Sequence, residues 1–134
     1  MVVIGSDVYV AGYEFNGSIS VAKYWKNGQA VALSNITLNS FATAIAVVGS
    51  DVYVAGYEFN GSVNVAKYWK NGQAVALSNV TLNSSATSIA VVGSNVYVAG
   101  TSDGNATYWK NGIPVTLGDV LKASDANSIF LVKK

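Results

Sequence analysis

Apolar residues along this chain come in short runs, separated by Gly-Ser and Asn-Gly pairs at near-regular intervals. In the middle of the chain, residues 44–48 form one run and Gly49-Ser50 interrupts it. Residues 51–59 follow, then Asn60-Gly61, residues 63–70, Asn71-Gly72 and residues 73–78. Asn-Gly between hydrophobic runs is the strongest short-range hairpin signal, and the runs are rich in β-branched and aromatic residues. The pattern therefore predicts four antiparallel strands joined by tight turns, with the polar stretch 79–87 leading onward. A helix fits poorly, because no apolar face at i, i+3, i+4 spacing survives between the turns. Val8, Tyr9, Val10 and Ala11 are all apolar, as in strands covered on both faces. Pro114, the single proline, falls in the fourth strand of the last unit. Proline removes a ladder donor, so the fourth strand is expected at a sheet edge. The first strand is made of small residues, which suits a crowded axis.

The same pattern occurs three times with a period of about 44 residues. Gly5-Ser6-Asp7-Val8-Tyr9-Val10-Ala11-Gly12 returns from Gly49 to Gly56 and, with Asn95 for Asp, from Gly93 to Gly100. Tyr24-Trp25-Lys26-Asn27-Gly28 returns at Tyr68 and at Tyr108. Units 5–48 and 49–92 differ only at Ile19/Val63, Ser20/Asn64, Ile36/Val80, Phe41/Ser85 and Ala44/Ser88; the third unit is 93–134. The third unit is four residues shorter between Gly100 and Trp109. Spacing from each Trp to the next first strand is constant, so the deletion is expected in the second-to-third hairpin, with Ser102-Asp103-Gly104-Asn105 as a short loop.

These residues resemble the blades of β-propellers. The run Tyr-Val-Ala-Gly, a hairpin, then Ala-Lys-Tyr-Trp-Lys-Asn-Gly is similar to uncharacterised bacterial repeat proteins of propeller fold. The resemblance covers the whole chain and implies an all-β propeller of three four-stranded antiparallel blades. It implies no particular function, because propellers host many unrelated tasks. A β-solenoid or a sandwich would also accommodate such units.

Composition narrows the chemistry. The chain of 134 residues has no His and no Cys. That excludes an imidazole base, a thiolate nucleophile, a disulfide and a Cys/His zinc site. The eight cationic residues are all Lys and the net charge is +1, which gives no field for nucleic acid. No apolar stretch is long enough for a membrane-spanning helix. The first residues lack the basic and apolar regions of a secretory leader, so a secreted or cell-surface protein would need a leader ahead of them. No cofactor and no metal is expected.

Trp25, Trp69 and Trp109 recur at one place in the unit, which favours packing between units over a ligand platform. Glu14 and Glu58 sit beside aromatics; as an acid/base pair they would serve a glycosidase or lyase, with Asp103 assisting. They come from equivalent positions, though, and division of labour needs environments that push two pKa values apart. They read better as solvated charges, and Asp7 and Asp51 as turn residues interchangeable with Asn95. Lys23 and Lys67 are expected to lay their stems over aromatics. The hairpins and the unit-to-unit loops are expected to share one rim, carrying Tyr13, Glu14, Asn16, Asn39, Tyr57, Glu58, Asn60 and Asn83. The ligand is expected to be a glycan or another protein, and aromatics with amides and carboxylates suit carbohydrate. The reading is therefore a non-catalytic binding module or scaffold, or a folded fragment with no further task.

Three blades are fewer than the roughly four to eight that close a propeller, so self-association is expected, with two chains forming a six-bladed ring. Residues 1–4 align with 45–48 as a first strand, and residues 128–132 align as another. The chain thus holds one first strand more than its blades need. The last is expected to reach the neighbouring chain's first blade near Val8 to Gly12, or to compete there with residues 1–4.

Overall fold

The computed structural model describes residues 1–33, 37–77, 83–117, 126, 128 and 129. These contain twelve strands in three four-stranded antiparallel sheets. The first sheet is β1 (Val2–Ile4), β2 (Asp7–Phe15), β3 (Ser20–Lys26) and β4 (Gln29–Ala32). The second is β5 (Ser40–Val48), β6 (Asp51–Phe59), β7 (Asn64–Lys70) and β8 (Gln73–Ala76). The third is β9 (Ser84–Val92), β10 (Asn95–Ser102), β11 (Asn105–Lys110) and β12 (Ile113–Thr116). Each sheet is a plain meander, with strands neighbouring in sequence order.

Turn chemistry fixes the hairpins. Asn27 and Gly28 have φ of 52° and 85°, and Asn71-Gly72 and Asn111-Gly112 repeat this. Two consecutive positive φ values make a type I′ turn, whose twist matches the strands it joins. The Asn side chain ties two hairpins together: Asn27 Oδ1 accepts from Val8 N at 2.8 Å, and Nδ2 donates to Asp7 Oδ1 at 2.8 Å. Asn111 makes the same bond to Asn95 Oδ1. Both Asp and Asn offer that acceptor oxygen, which explains why they interchange here. Asn16-Gly17 differs from these turns: Asn16 has no positive φ. Its loop is closed by Asn16 N donating to Ile19 O, while Asn16 Oδ1 accepts from Ser18 N and Ile19 N. Asn60 repeats the arrangement.

The deletion in the third unit lies where it was expected. Asp103 and Gly104 make a two-residue turn between paired Ser102 and Asn105. The fourth strands are fully exposed edges, and Pro114 sits on one of them.

The first strands are longer than the apolar runs suggest. β5 and β9 begin at Ser40 and Ser84 rather than at the expected 44 and its equivalent 88. Ser and Ala are poor strand signals, so the start of these strands reads as linker. Each carries a bulge, at Thr43 and Thr87. Ser78 and residues 130–132, included in expected strands, lie outside the described residues.

The sheets stack in chain order. Tyr9, Ala22 and Leu33 of the first sheet meet Ala42, Ile45, Val52, Val54 and Trp69 of the second. Tyr53, Ala66 and Leu77 meet Ala86, Ile89, Val96, Val98 and Trp109 in the same way at the next joint. Trp69 and Trp109 are 1% and 0% exposed, so at the two joints the recurring Trp is packing, as its recurrence suggested; Trp25, on the first sheet, is only partly buried. Among the described residues the Trp109 indole N–H is buried without an acceptor; such an orphan costs about 1–3 kcal/mol.

Candidate functional site

The second-to-third hairpins and the unit-to-unit connections meet at one edge. Phe59 N donates to Asn39 O and Asp103 N to Asn83 O, both at 2.8 Å, tying hairpin stems to unit-to-unit connections. Its residues do different jobs. Asn39 and Asn83 hold the joint: β4 has four residues against seven in β3, so Ser20 and Ala22 lose their strand partner on that edge. Asn39 Oδ1 accepts from Ser20 N and the buried Ser40 Oγ from Ala22 N, each at 2.8 Å. Asn83 and Ser84 repeat this against Asn64 and Ala66. Asn16 and Asn60 close their own loops. All four amide oxygens thus serve the backbone.

Glu14 and Glu58 are ion-paired. Lys23 Nζ lies 2.9 Å from Glu14 Oε1 and Lys67 Nζ 2.7 Å from Glu58 Oε1, each across the β2–β3 or β6–β7 ladder. The solvated-charge reading holds for Glu14, 56% exposed, but not for Glu58, at 16%. Lys23 and Lys67 thus commit their ammonium groups to ion pairs. Ammonium groups over aromatic rings belong to Lys26, Lys70 and Lys110, each over the ring of Tyr9, Tyr53 or Tyr97 at 5.5–5.8 Å. Asp103 sits at φ 50° in its turn.

Tyr13 and Tyr57 are brought together by a residue the sequence reading passed over. Phe41, in the first half of β5, meets Tyr13 edge-on at 4.7 Å and Tyr57 at 5.1 Å. The three rings form a ribbon across the junction of the first two sheets. Burial, and secondarily the Tyr13 phenol, raises the Tyr57 pKa above its ordinary 10.0. The signal in the sequence was Phe41 itself, one of five positions where the first two units differ. Ser85 replaces it at the next joint, so the ribbon does not continue there.

At the other end of these strands a cleft of about 510 Å³ opens between the first two sheets, lined by Asp7, Tyr24, Lys26, Val52 and Asn71 among others. Asp7 and Asn71 are committed to the turns. A hydrogen bond with Tyr9, then the charges of Tyr9 and Asp7, raise the Lys26 pKa. Among the described residues no three acidic side chains gather to hold a metal, and no helix is long and apolar enough to cross a membrane. No protein-family model and no curated protein matches the chain.

Proposed function

We propose that this chain is a non-catalytic β-propeller scaffold whose ring is completed by a second copy. One observation carries the reading: a single sheet-to-sheet joint is used twice within the chain, and its two halves are only partly covered at the ends. The leading half on the first sheet is Val8, Val10 and Trp25. Val8 and Val10 are 37% and 38% exposed, whereas their equivalents Val52 and Val54 are 8% and 0%. The trailing half on the third sheet includes Leu117, 57% exposed, whereas Leu33 and Leu77 are 6% and 4%. Exposed apolar surface of this kind marks an interface. Each end face has the shape its opposite already accepts inside the chain. Two copies placed head to tail then give six blades with every joint alike, and a twofold ring is the commonest closed assembly.

Light scattering tests this. The expected particle has twice the 13.9 kDa of the chain. A soluble monomer at micromolar concentration overturns the ring, and a trimer keeps the joint but refutes the twofold symmetry.

The absence of catalysis is supported by the carboxylates: Glu14 and Glu58 each face a lysine in a repeated arrangement, with nothing that divides acid from base. A binding task at the rim is favoured by the Tyr13–Phe41–Tyr57 ribbon, since clustered aromatics beside a carboxylate suit the apolar face and hydroxyls of a sugar. Glycan-array binding lost in Phe41→Ser and Tyr13→Ala supports this second reading; an array with no binding leaves the scaffold alone.

A further inference from the structure

β2 and β6 have the same sequence, Asp-Val-Tyr-Val-Ala-Gly-Tyr-Glu-Phe, but different neighbours. β6 is paired with β5 from Asp51 to Glu58. β2 is paired with β1 only at Asp7, Val8 and Tyr9. Among the described residues, no strand lies against that edge of β2 from Val10 to Glu14. An open edge of this length is a template for another strand.

Gly12 shows what kind of strand belongs there. A Cβ on Gly56 would lie 1.9 Å from the carbonyl oxygen of Phe41, and one on Gly100 2.0 Å from that of Ser85. In both cases the bulged first strand crosses so closely that only glycine fits. A Cβ on Gly12 would meet only the Trp25 ring, at 3.2 Å. The position is built for a bulged strand that the first sheet lacks.

The far end of the chain places Ala126 and Ile129 in the matching seat. Thr43 Oγ1 donates to Ala86 O at 2.7 Å, which ties β5 to the first strand of the next sheet. Thr87 Oγ1 donates in the same way to Ala126 O at 2.6 Å, and Ile129 N donates to Ser88 Oγ at 3.1 Å. Ala126 and Ile129 therefore stand beside β9 as Ala86 and Ile89 stand beside β5. That is the place of a first strand whose sheet is supplied by no other described residue.

We infer that the C-terminal segment containing Ala126 and Ile129 adds as a strand to the open edge of β2 in a second copy, with Ala126 opposite Gly12 and Ile129 opposite Val10. The register follows from Ala42↔Gly56 and Ile45↔Val54, repeated by Ala86↔Gly100 and Ile89↔Val98. The inference rests on the head-to-tail ring proposed above and adds how it locks. It also removes the competition expected between the termini. Val2, Val3 and Ile4 pair with Tyr9, Val8 and Asp7, the positions that Ala46, Val47 and Val48 take in the second sheet. One copy supplies the strand as far as Ile129, and the other completes it from Val2. Each joint then combines a mated apolar face with a backbone ladder, the mode of strand addition.

Three variants test this in the full chain. Gly12→Ala is expected to weaken dimerisation at least about tenfold, while its far-UV circular dichroism at monomeric dilution stays that of the parent. Deletion of residues 126–134 is expected to abolish the dimer, and deletion of 130–134 to leave it. In Val10→Cys/Ile129→Cys, the only thiols in the chain are expected to oxidise to a covalent dimer, since paired strands bring Cα atoms within disulfide range. A parent dimer that gives no intermolecular cross-link, or one unaffected by Gly12→Ala, overturns the strand exchange and leaves the ring standing. A parent that is monomeric overturns the ring itself.

Discussion

At the residue scale, the aromatic ribbon has a measurable titration. Tyr57 is the member whose phenol is held above its ordinary pKa, chiefly by burial. A raised folded-state pKa means that the folded protein binds the proton more tightly. The stabilisation is complete below the unfolded value of about 10 and is lost as pH rises through the folded one. Tyr57→Phe keeps a ring against Phe41 and cannot ionise. Its melting temperature is therefore expected to fall less than the parent's between about pH 9 and pH 11; equal slopes would show that Tyr57 ionises as freely folded as unfolded. The two tyrosines were legible as rim residues because each lies just before a hairpin. Phe41 was not, because it is brought to them by a strand whose start looks like linker. The ion pairs of Lys23 and Lys67 were not legible for a similar reason: their partners Glu14 and Glu58 are fixed by the ladder register, which the sequence leaves implicit.

At the scale of elements, the hairpins were legible because their chemistry is local. Asn-Gly at positive φ, the shortened loop at Asp103-Gly104 and the edge position of Pro114 each depend on residues within a few positions. The joints between sheets were legible in their recurring Trp but not in their hydrogen bonds. Their donors are backbone N–H groups of Ser20 and Ala22, whose acceptors Asn39 and Ser40 lie 19 and 18 positions away. No side-chain pattern announces a main-chain donor that will outrun its partner strand. This predicts a cost for a substitution that looks harmless in sequence. Ser40→Ala leaves the buried Ala22 N–H without that acceptor and is expected to destabilise by about 1–3 kcal/mol in urea at fixed protein concentration. Ser84→Ala should match it at the second joint. A loss below about 0.5 kcal/mol would mean that water replaces the hydroxyl and the joint is looser than its hydrogen bonds imply.

At the scale of the whole molecule, the three sheets are alike in plan and unlike in burial, so the same mutation has different consequences along the chain. Trp69→Ala empties a closed joint and is expected to cost about 3–5 kcal/mol. Trp25→Ala removes a partly buried ring and should cost the isolated chain much less, while weakening the proposed dimer. Denaturation and sedimentation measured on both variants separate these effects. If Trp25→Ala destabilises the chain as strongly as Trp69→Ala without touching association, the end face is not an interface. The likeness of the sheets also bears on how the chain folds. β2 and β6 carry the same nine residues, so during folding β5 meets two chemically identical edges on which to zip. Side-chain preference cannot choose between them. The choice falls to chain connectivity: the Gly49-Ser50 turn delivers β6 to β5 at once, whereas β2 must close a loop of some 25 residues, at an entropic disadvantage that grows only slowly with length. A near-perfect internal duplication thus carries its own folding decoy. The fraction of chains that zip onto the wrong copy is set by a turn of two residues rather than by the strands it joins.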